Sequence, residues 1–460
     1  MEDKKIWSGR FNSETNPEVE NFTESISFDY RLAKYDVKVS IAHILMLAKC
    51  GIINELEKEK IIKVLNKALN LIQKNKFKFD VFYEDVHSNI ENFVIKELGE
   101  TGMKLHTARS RNDLVVTDIR LYLKDEIKDI ISLLKDLLSE IVFIAENNIS
   151  NIMPSYTHLK QAQPILISHY FMAFFFRFKE DIERLKKNLE SVDVLTLGSG
   201  AVAGVNYPID REFLAKLLNF SKISENSIDA VSDRDFIIEF IFNSSLIAMH
   251  LSRLAEDLII YNTDEFGFIE ISDEFATGSS IMPHKKNPDV LELIRGKTAS
   301  IYSNLIGILI LLKALPTSYN RDLQEDKKFL FSTCDNIKPM ISIFTKLLKN
   351  IKFNYENINS KMKSGFIIAV DIADYLVKKG TPFRKAHNIV GKIIKYCIQK
   401  NKSLFELTLD ELKKFKKNID EDIFKLFDYK KSVELKISYG GTSTDNVLRQ
   451  IASAKKYLSS

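Results

Sequence analysis

At 460 residues the chain is long enough for a large buried core and up to about three domains. Hydrophobic residues make up 45% and charged residues 28%, as in ordinary globular proteins, and a net charge of +4 gives no basis for binding nucleic acid or a membrane surface. The three cysteines, Cys50, Cys334 and Cys397, are far apart and form no Cys-x-x-Cys pair, which argues against a disulfide framework or a thiolate metal site and fits a reducing compartment.

The first residues, Met1-Glu2-Asp3-Lys4-Lys5, are charged and lack a following apolar stretch, so no secretory signal is expected. The longest apolar run, Leu305 to Leu312, falls short of the roughly 18 residues needed to span a bilayer. No membrane is expected, and the cytoplasm is the expected compartment. With only 16 glycines and 9 prolines, helix breakers are scarce, which predicts long uninterrupted helices. Residues up to about 105 read as shorter helices with loops.

From Leu114 to Ile149 apolar residues recur at helical spacing (Val115, Ile119, Leu123, Ile127, Ile130, Leu134, Leu137, Ile141). That predicts a helix of about 35 residues, against a globular average of about a dozen. Similar patterns run from Pro164 to Asp193, Arg234 to Tyr261, Pro288 to Leu315 and Asp326 to Ile351, with Pro164 and Pro288 expected in first helical turns. Five such helices predict an all-α fold built on a central bundle with a shared apolar seam. Helices this long call for burial against other subunits. Residues 355–460 read as short helices again, one of them opened by Thr381-Pro382. The domain boundaries expected are 1–110, 111–352 and 353–460. No strand-rich segment or repeat stands out.

Four polar strings carry candidate chemistry. The first, Gly278-Ser279-Ser280-Ile281-Met282-Pro283-His284-Lys285-Lys286-Asn287-Pro288-Asp289, joins a small-residue hinge with two hydroxyls to a cation, Lys285. Asn287 is expected to cap the helix opened by Pro288, with Asp289 in its first turn. A plain capping loop explains Asn-Pro-Asp but not the two serines, the lysine and the methionine–proline kink together. The second, His106-Thr107-Ala108-Arg109-Ser110-Arg111-Asn112-Asp113, brackets a serine with guanidinium groups suited to carboxylates; by itself it also reads as a basic helix start. The third, Tyr156-Thr157-His158-Leu159-Lys160-Gln161-Ala162-Gln163-Pro164, puts a histidine in irregular chain before a helix, where it suits proton transfer or merely ties down a loop. The fourth, Tyr319-Asn320-Arg321-Asp322-Leu323-Gln324-Glu325-Asp326-Lys327, reads alone as a charged turn between long helices. In Glu84-Asp85-Val86-His87, Asp85 reads as a cap and His87 as structural. Gly198-Ser199-Gly200-Ala201-Val202-Ala203-Gly204 lacks the strand–turn–helix context of a nucleotide loop.

The first string resembles the signature of the fumarase–aspartase superfamily, whose members cleave C–N or C–O bonds and release fumarate. Its double lysine, followed by Leu291-Glu292-Leu293-Ile294-Arg295, resembles the argininosuccinate lyase branch. The other strings resemble that branch too, as do Trp7-Ser8-Gly9-Arg10-Phe11, Asp229-Ala230-Val231-Ser232-Asp233-Arg234-Asp235 and Tyr439-Gly440-Gly441-Thr442. Ala108 stands where glycine is usual, Lys160 where glutamine is, and Lys436 where arginine is common. The resemblance runs from about residue 7 to about residue 445 and implies a three-domain, fumarase/aspartase-like fold. It implies elimination of arginine from argininosuccinate, a small-molecule substrate, in the last step of arginine biosynthesis, with no metal or cofactor. It also implies a homotetramer whose active sites are shared between subunits.

By the same resemblance the catalytic residues are Ser279, His158, Lys285 and Glu292, with Glu292 paired to His158. Ser25, Arg111, Asn112, Thr157, Asn287, Tyr319, Gln324 and Lys327 are expected to bind substrate. Ser279 is assigned as base and His158 as acid; the reverse stays open. Adenylosuccinate lyase or another fumarate-releasing lyase is the alternative within the superfamily, given some weight by His284. A catalytically silent helical scaffold is the alternative outside it.

Overall fold

The computed structural model describes residue 13 and residues 15–459; the Trp7–Phe11 string lies outside them. In chain order the elements that matter for the site are short α1 (Ile26–Asp29), α2 (Ala33–Lys49), α3 (Val86–Leu98) and five long helices. These are α4 (Arg111–Asn147), α5 (Ile167–Val192), α6 (Asp235–Asn262), α7 (Asp289–Leu312) and α8 (Asp326–Lys349). Further helices follow, most of them short but one, Phe383–Lys400, of 18 residues. Among the small ladders between the helices, two antiparallel ones bear on the site: β1 (Ile152–Thr157) with β2 (Lys160–Leu166), and β3 (Thr277–Gly278) with β4 (Lys286–Asn287).

The long helices follow from sequence periodicity. α4 has 37 residues, so it runs about 55 Å. Ile119, Leu123, Ile127, Ile130, Leu134, Leu137 and Ile141, the positions spaced for one face, are all fully buried. α6 is long and apolar enough, by length and composition, to cross a membrane, although no unbroken apolar run is that long; 56% of its most apolar window is buried in the protein, the pattern of a core helix.

The chain forms two compact units. One takes residues through Ile131, Glu183–Ser245 and Ser300–Ile337; the other takes Ser132–Ile182, Leu246–Ala299 and Lys338 onward. Each long helix gives one half to each unit. In the first unit Gly307 of α7 leaves room for Phe329 of α8, whose ring a Cβ would meet at 2.4 Å. Buried Asp326 accepts from the Arg234 guanidinium and from the Lys327 ammonium, 3.0 Å away. The second unit includes a C-terminal cluster around Ile372, Leu376, Ile393, Leu404 and Ile423.

Three expected helix starts are shifted. Pro164 lies in β2 opposite Pro154, and α5 begins only at Ile167. Proline is tolerated there because this two-stranded ribbon is all edge. α7 begins at Asp289, so Pro288 takes the cap position, and Asn287 is in β4 paired with Thr277. Asp289 is in the first turn, as expected, and accepts from the Thr277 hydroxyl. Pro382, not Thr381, is the cap residue of helix Phe383–Lys400.

Ala108 is buried with φ of 60°, a left-handed conformation that costs an L-residue about 1–2 kcal/mol. Ala108→Gly removes that strain and gives back about 0.4–1 kcal/mol through the entropy of the unfolded chain. We expect a net gain of about 0.5–1 kcal/mol, read as a higher thermal midpoint. An unchanged or lower midpoint contradicts it.

Candidate active site

The candidate residues fall into two groups, one in each unit. The second unit holds Thr157, His158, Ser279, Lys285, Asn287 and Glu292; the first holds Ser25, Arg111, Asn112, Tyr319, Gln324 and Lys327.

His158 sits at the tip of the β1–β2 hairpin, not in irregular chain. Thr157 pairs with Lys160, and the two residues between, His158 and Leu159, have φ of 55° and 56°. Two positive φ values at the centre of a two-residue loop mark a type I′ hairpin turn, a place for asparagine and glycine rather than histidine and leucine. His158 is exposed there. The ribbon beneath it is irregular between Pro154 and Tyr156. It is pinned by Ser155, whose hydroxyl donates to the Gln163 carbonyl at 2.7 Å and accepts from the Gln163 N–H at 3.1 Å.

Ser279 lies just after β3, in the loop that β4 closes. Its hydroxyl oxygen accepts from the Met282 N–H at 3.1 Å and the Ile281 N–H at 3.4 Å. The two lysines of the loop differ. Lys286 is tied to Asp273 at 2.7 Å and to Glu270 at 3.5 Å. Lys285 is exposed, and among the described residues no ion pair reaches it. Glu292, on α7, lies 3.9 Å from Arg295. Among the described residues it makes no contact with His158, so the expected pair is not formed within one chain.

The first unit gathers its residues around the start of α3. Asp85 caps that helix by accepting from the Ser88 N–H at 2.6 Å. It also lies 3.4 Å from Arg111, whose guanidinium donates to the Ser88 hydroxyl at 2.8 Å and lies 3.7 Å from Glu91. Burial alone would push the Asp85 carboxyl up, but Arg111 and His87 bring it below the usual range. One buried Arg111 nitrogen, Nη1, has no partner among the described residues. Asn112 donates to the Ala201 carbonyl at 3.1 Å.

Arg109, by contrast, points inward to the Ser40 hydroxyl at 2.9 Å. Asp113 accepts from the N–H groups of Ser110, Gly198 and Gly200 at 2.8 to 3.0 Å. The glycine-rich turn therefore cradles an anion, but the anion is the chain's own carboxylate.

Gln324 donates to the carbonyls of Thr23 and Glu24, both at 3.3 Å, and Arg321 donates to Thr23 at 2.6 Å. These bonds hold the Tyr319–Lys327 string against the turn that carries Ser25. Ser25 and Lys327 are each only 3% exposed, so a ligand would meet only their outer edge. The Ser25 hydroxyl donates to Asp29 at 2.5 Å. Asp29, an aspartate in a four-residue helix, carries no local signal in the sequence. Burial, then the nearby charge of Asp85, pushes its carboxyl up to about 6.

Asp36, His87 and Asp118 also converge, with ligand-type atoms all within 4.8 Å. Their contact is a direct hydrogen bond of 2.6 Å from His87 Nδ1 to Asp36, shorter than the separation of atoms around a cation. Arg109 and Arg111 already supply positive charge. Burial and Asp36 hold Asp118 well above the usual carboxylate range, and His87 is structural as expected.

The sequence profile of a lyase family matches residues 9–303, and that of the argininosuccinate lyase C-terminal region matches residues 366–434. An argininosuccinate lyase from Alkaliphilus metalliredigens is 51% identical over 99% of this chain and 99% of its own. The chain belongs to the argininosuccinate lyase family. The Aquifex aeolicus argininosuccinate lyase is 52% identical over 98% of this chain and 99% of its own length. Among solved structures, an EDDS lyase variant with bound fumarate matches with a TM-score of 0.84 at 25% identity, covering 97% of this chain and 91% of its own. The fold class and the lyase activity expected from the sequence are thus both supported, and the argininosuccinate lyase reading is preferred to its sister enzymes.

Proposed function

We propose that this carbon–nitrogen lyase splits argininosuccinate into arginine and fumarate with Ser279 as base and His158 as acid. The observation that carries the assignment is the pair of N–H groups, from Ile281 and Met282, on the Ser279 oxygen. A serine hydroxyl is a poor base. Two N–H donors and a cation favour its ionised form, and the cation proposed is Lys285 of the same loop. In this form Ser279 takes the proton from the carbon beside a carboxylate of the succinyl half. The negative charge that then gathers on that carboxylate is balanced by Lys285 and Asn287. His158 gives a proton to the guanidino nitrogen as the C–N bond breaks and fumarate forms. In the reverse assignment Ser279 would give its proton to the leaving nitrogen, a step the same two N–H groups would also assist, so isotope exchange at the succinyl carbon is the measurement that separates the two.

The arginine half is assigned to the first unit. Arg111, with a nitrogen unpaired, and Asn112 suit a carboxylate; Ser25 and Asp29 suit an ammonium. Tyr319, Gln324 and Lys327 complete the set, and Thr157 orients the substrate beside His158. Ile281 in the serine loop is 83% exposed, which suits a flap that closes over bound substrate.

We further propose a homotetramer with shared active sites. Tyr302, Ile306, Leu309 and Ile310 form an exposed apolar stripe on one face of α7, with Ile306 and Ile310 each 58% exposed; a stripe of that kind requires cover. In that assembly Glu292 pairs with His158 from another copy. We also propose three sequential domains, 1–110, 111–352 and 353–460; the second boundary falls in the gap between the two family profiles at residues 304–365. The free cysteines accord with a cytoplasmic setting.

Fumarate absorbance with argininosuccinate as substrate tests the reading, and Ser279→Ala should lower kcat by about 10²–10⁴ with little change in KM. A variant of undiminished turnover contradicts both assignments of the serine. Asp29 offers a pH test. Its raised carboxyl is charged above about pH 6 and neutral below, so attraction for the ammonium is lost as pH falls through 6. KM should rise below that point in the wild type, and Asp29→Asn should flatten the profile; a wild-type KM independent of pH from 5 to 8 contradicts the assignment.

A further inference from the structure

Tyr83, Glu84 and Asp85 form a γ-turn. The Asp85 N–H donates to the Tyr83 carbonyl at 2.7 Å, and Glu84 between them has φ of 63° and ψ of −55°. This positive-φ form is the rare and strained one, because the Cβ of an L-residue crowds its own backbone. A strained turn survives only where its surroundings determine it from several sides.

Here they do. The Glu84 N–H donates to Val81 at 2.9 Å, while the Glu84 carbonyl accepts from both the Ser25 and the Ile26 N–H groups, at 2.8 and 3.0 Å. The next residue, Asp85, caps α3 and faces Arg111. The residue after that, Val86, donates its N–H to Asp29 at 3.1 Å, the carboxylate that also holds the Ser25 hydroxyl. Three groups assigned to the arginine half (Ser25, Asp29 and Arg111) are therefore tied to three successive residues of one strained segment.

We propose that Glu84 is a positioning residue for that half-site, acting through its main chain. The proposal rests on the assignment of Ser25, Asp29 and Arg111 to the substrate. The positive φ turns the Glu84 carbonyl toward Ser25 and Ile26. With an ordinary φ the carbonyl turns away, two N–H groups lose their acceptor, and Asp85 leaves its place between α3 and Arg111. The Glu84 carboxylate, 3.8 Å from Arg321, is secondary to this.

The test uses the full-length enzyme and three variants. Glu84→Gly and Glu84→Asn accept positive φ, whereas Glu84→Val, being β-branched, resists it. Glycine and asparagine should hold KM for argininosuccinate within about threefold, and valine should raise it about tenfold or more with kcat within about threefold. Amide hydrogen exchange at Ser25 and Ile26 should quicken in Glu84→Val and stay at the wild-type rate in the other two. A merely structural residue would lower the midpoint of unfolding without this split between KM and kcat. If Glu84→Val does not fold, Glu84→Thr, β-branched but polar, should show the same changes.

Wild-type KM and wild-type exchange in the valine or threonine variant overturns the proposal. So does an equal rise in KM for all substitutions, which would give the effect to the side chain. Ser25→Ala, measured alongside, separates the two readings: an unchanged KM there sinks the substrate assignment. A raised KM in Ser25→Ala together with an unchanged KM in Glu84→Val sinks the positioning role alone.

Discussion

Backbone held where L-residues resist it is the constraint on which the candidate site depends. Among the described residues eight non-glycine positions have positive φ, and three of these are asparagines. Asn219 and Asn401 are ordinary left-handed helix caps. The other five are Glu84, Ala108, His158, Leu159 and Ser318. Glu84 holds Ser25, Ala108 precedes the Arg109–Asp113 helix start, His158 is the proposed acid, and Ser318 precedes Tyr319. Each such position costs about 1–3 kcal/mol, so together they weigh as much as the net stability of a typical domain, about 5–15 kcal/mol. The long helices, with one face of α4 wholly buried over seven positions, provide the apolar burial against which this strain is held.

The same logic extends to the serine loop. Among the described residues no side chain hydrogen-bonds the Ser279 oxygen; the groups on it are main-chain N–H groups of its own loop. Main-chain donors are fixed by the loop's path, so in the proposed mechanism the basicity of the serine, which Lys285 of the same loop supports, depends on loop conformation. Lys286, one of two adjacent lysines, anchors the loop's base to Asp273 and leaves Lys285 for the substrate in the proposed mechanism. An elimination that needs a base only when substrate is enclosed is well served by a base whose activation is conformational.

The sequence showed what repeats and hid what depends on single dihedrals. The five long helices were legible because apolar residues recur at the helical period over many turns. The β1–β2 hairpin was not: its turn has His158 and Leu159 where asparagine and glycine would signal one, and Pro164 imitates a helix start. Asn-Pro-Asp has cap chemistry and points to Asn287 as the cap, but its pairing with Thr277 shifts the helix by a residue. The site residues were found by resemblance to a family rather than by spacing, since they come from segments hundreds of residues apart. Asp29 and the γ-turn at Glu84 carry no local signal. Lys436, an unexplained departure in sequence, has a structural partner in buried Asp371. Nothing in the structure explains Lys160.

The central claim is the division of labour, with Ser279 taking the proton and His158 giving one. Exchange of the succinyl methylene hydrogen of argininosuccinate with D2O, followed by NMR alongside fumarate release, tests it most directly. The account predicts that His158→Asn retains exchange while losing fumarate release, because the base still works but the leaving nitrogen is not protonated. Ser279→Ala should lose both. Exchange that survives in Ser279→Ala and vanishes in His158→Asn contradicts the account and transfers the role of base to the histidine.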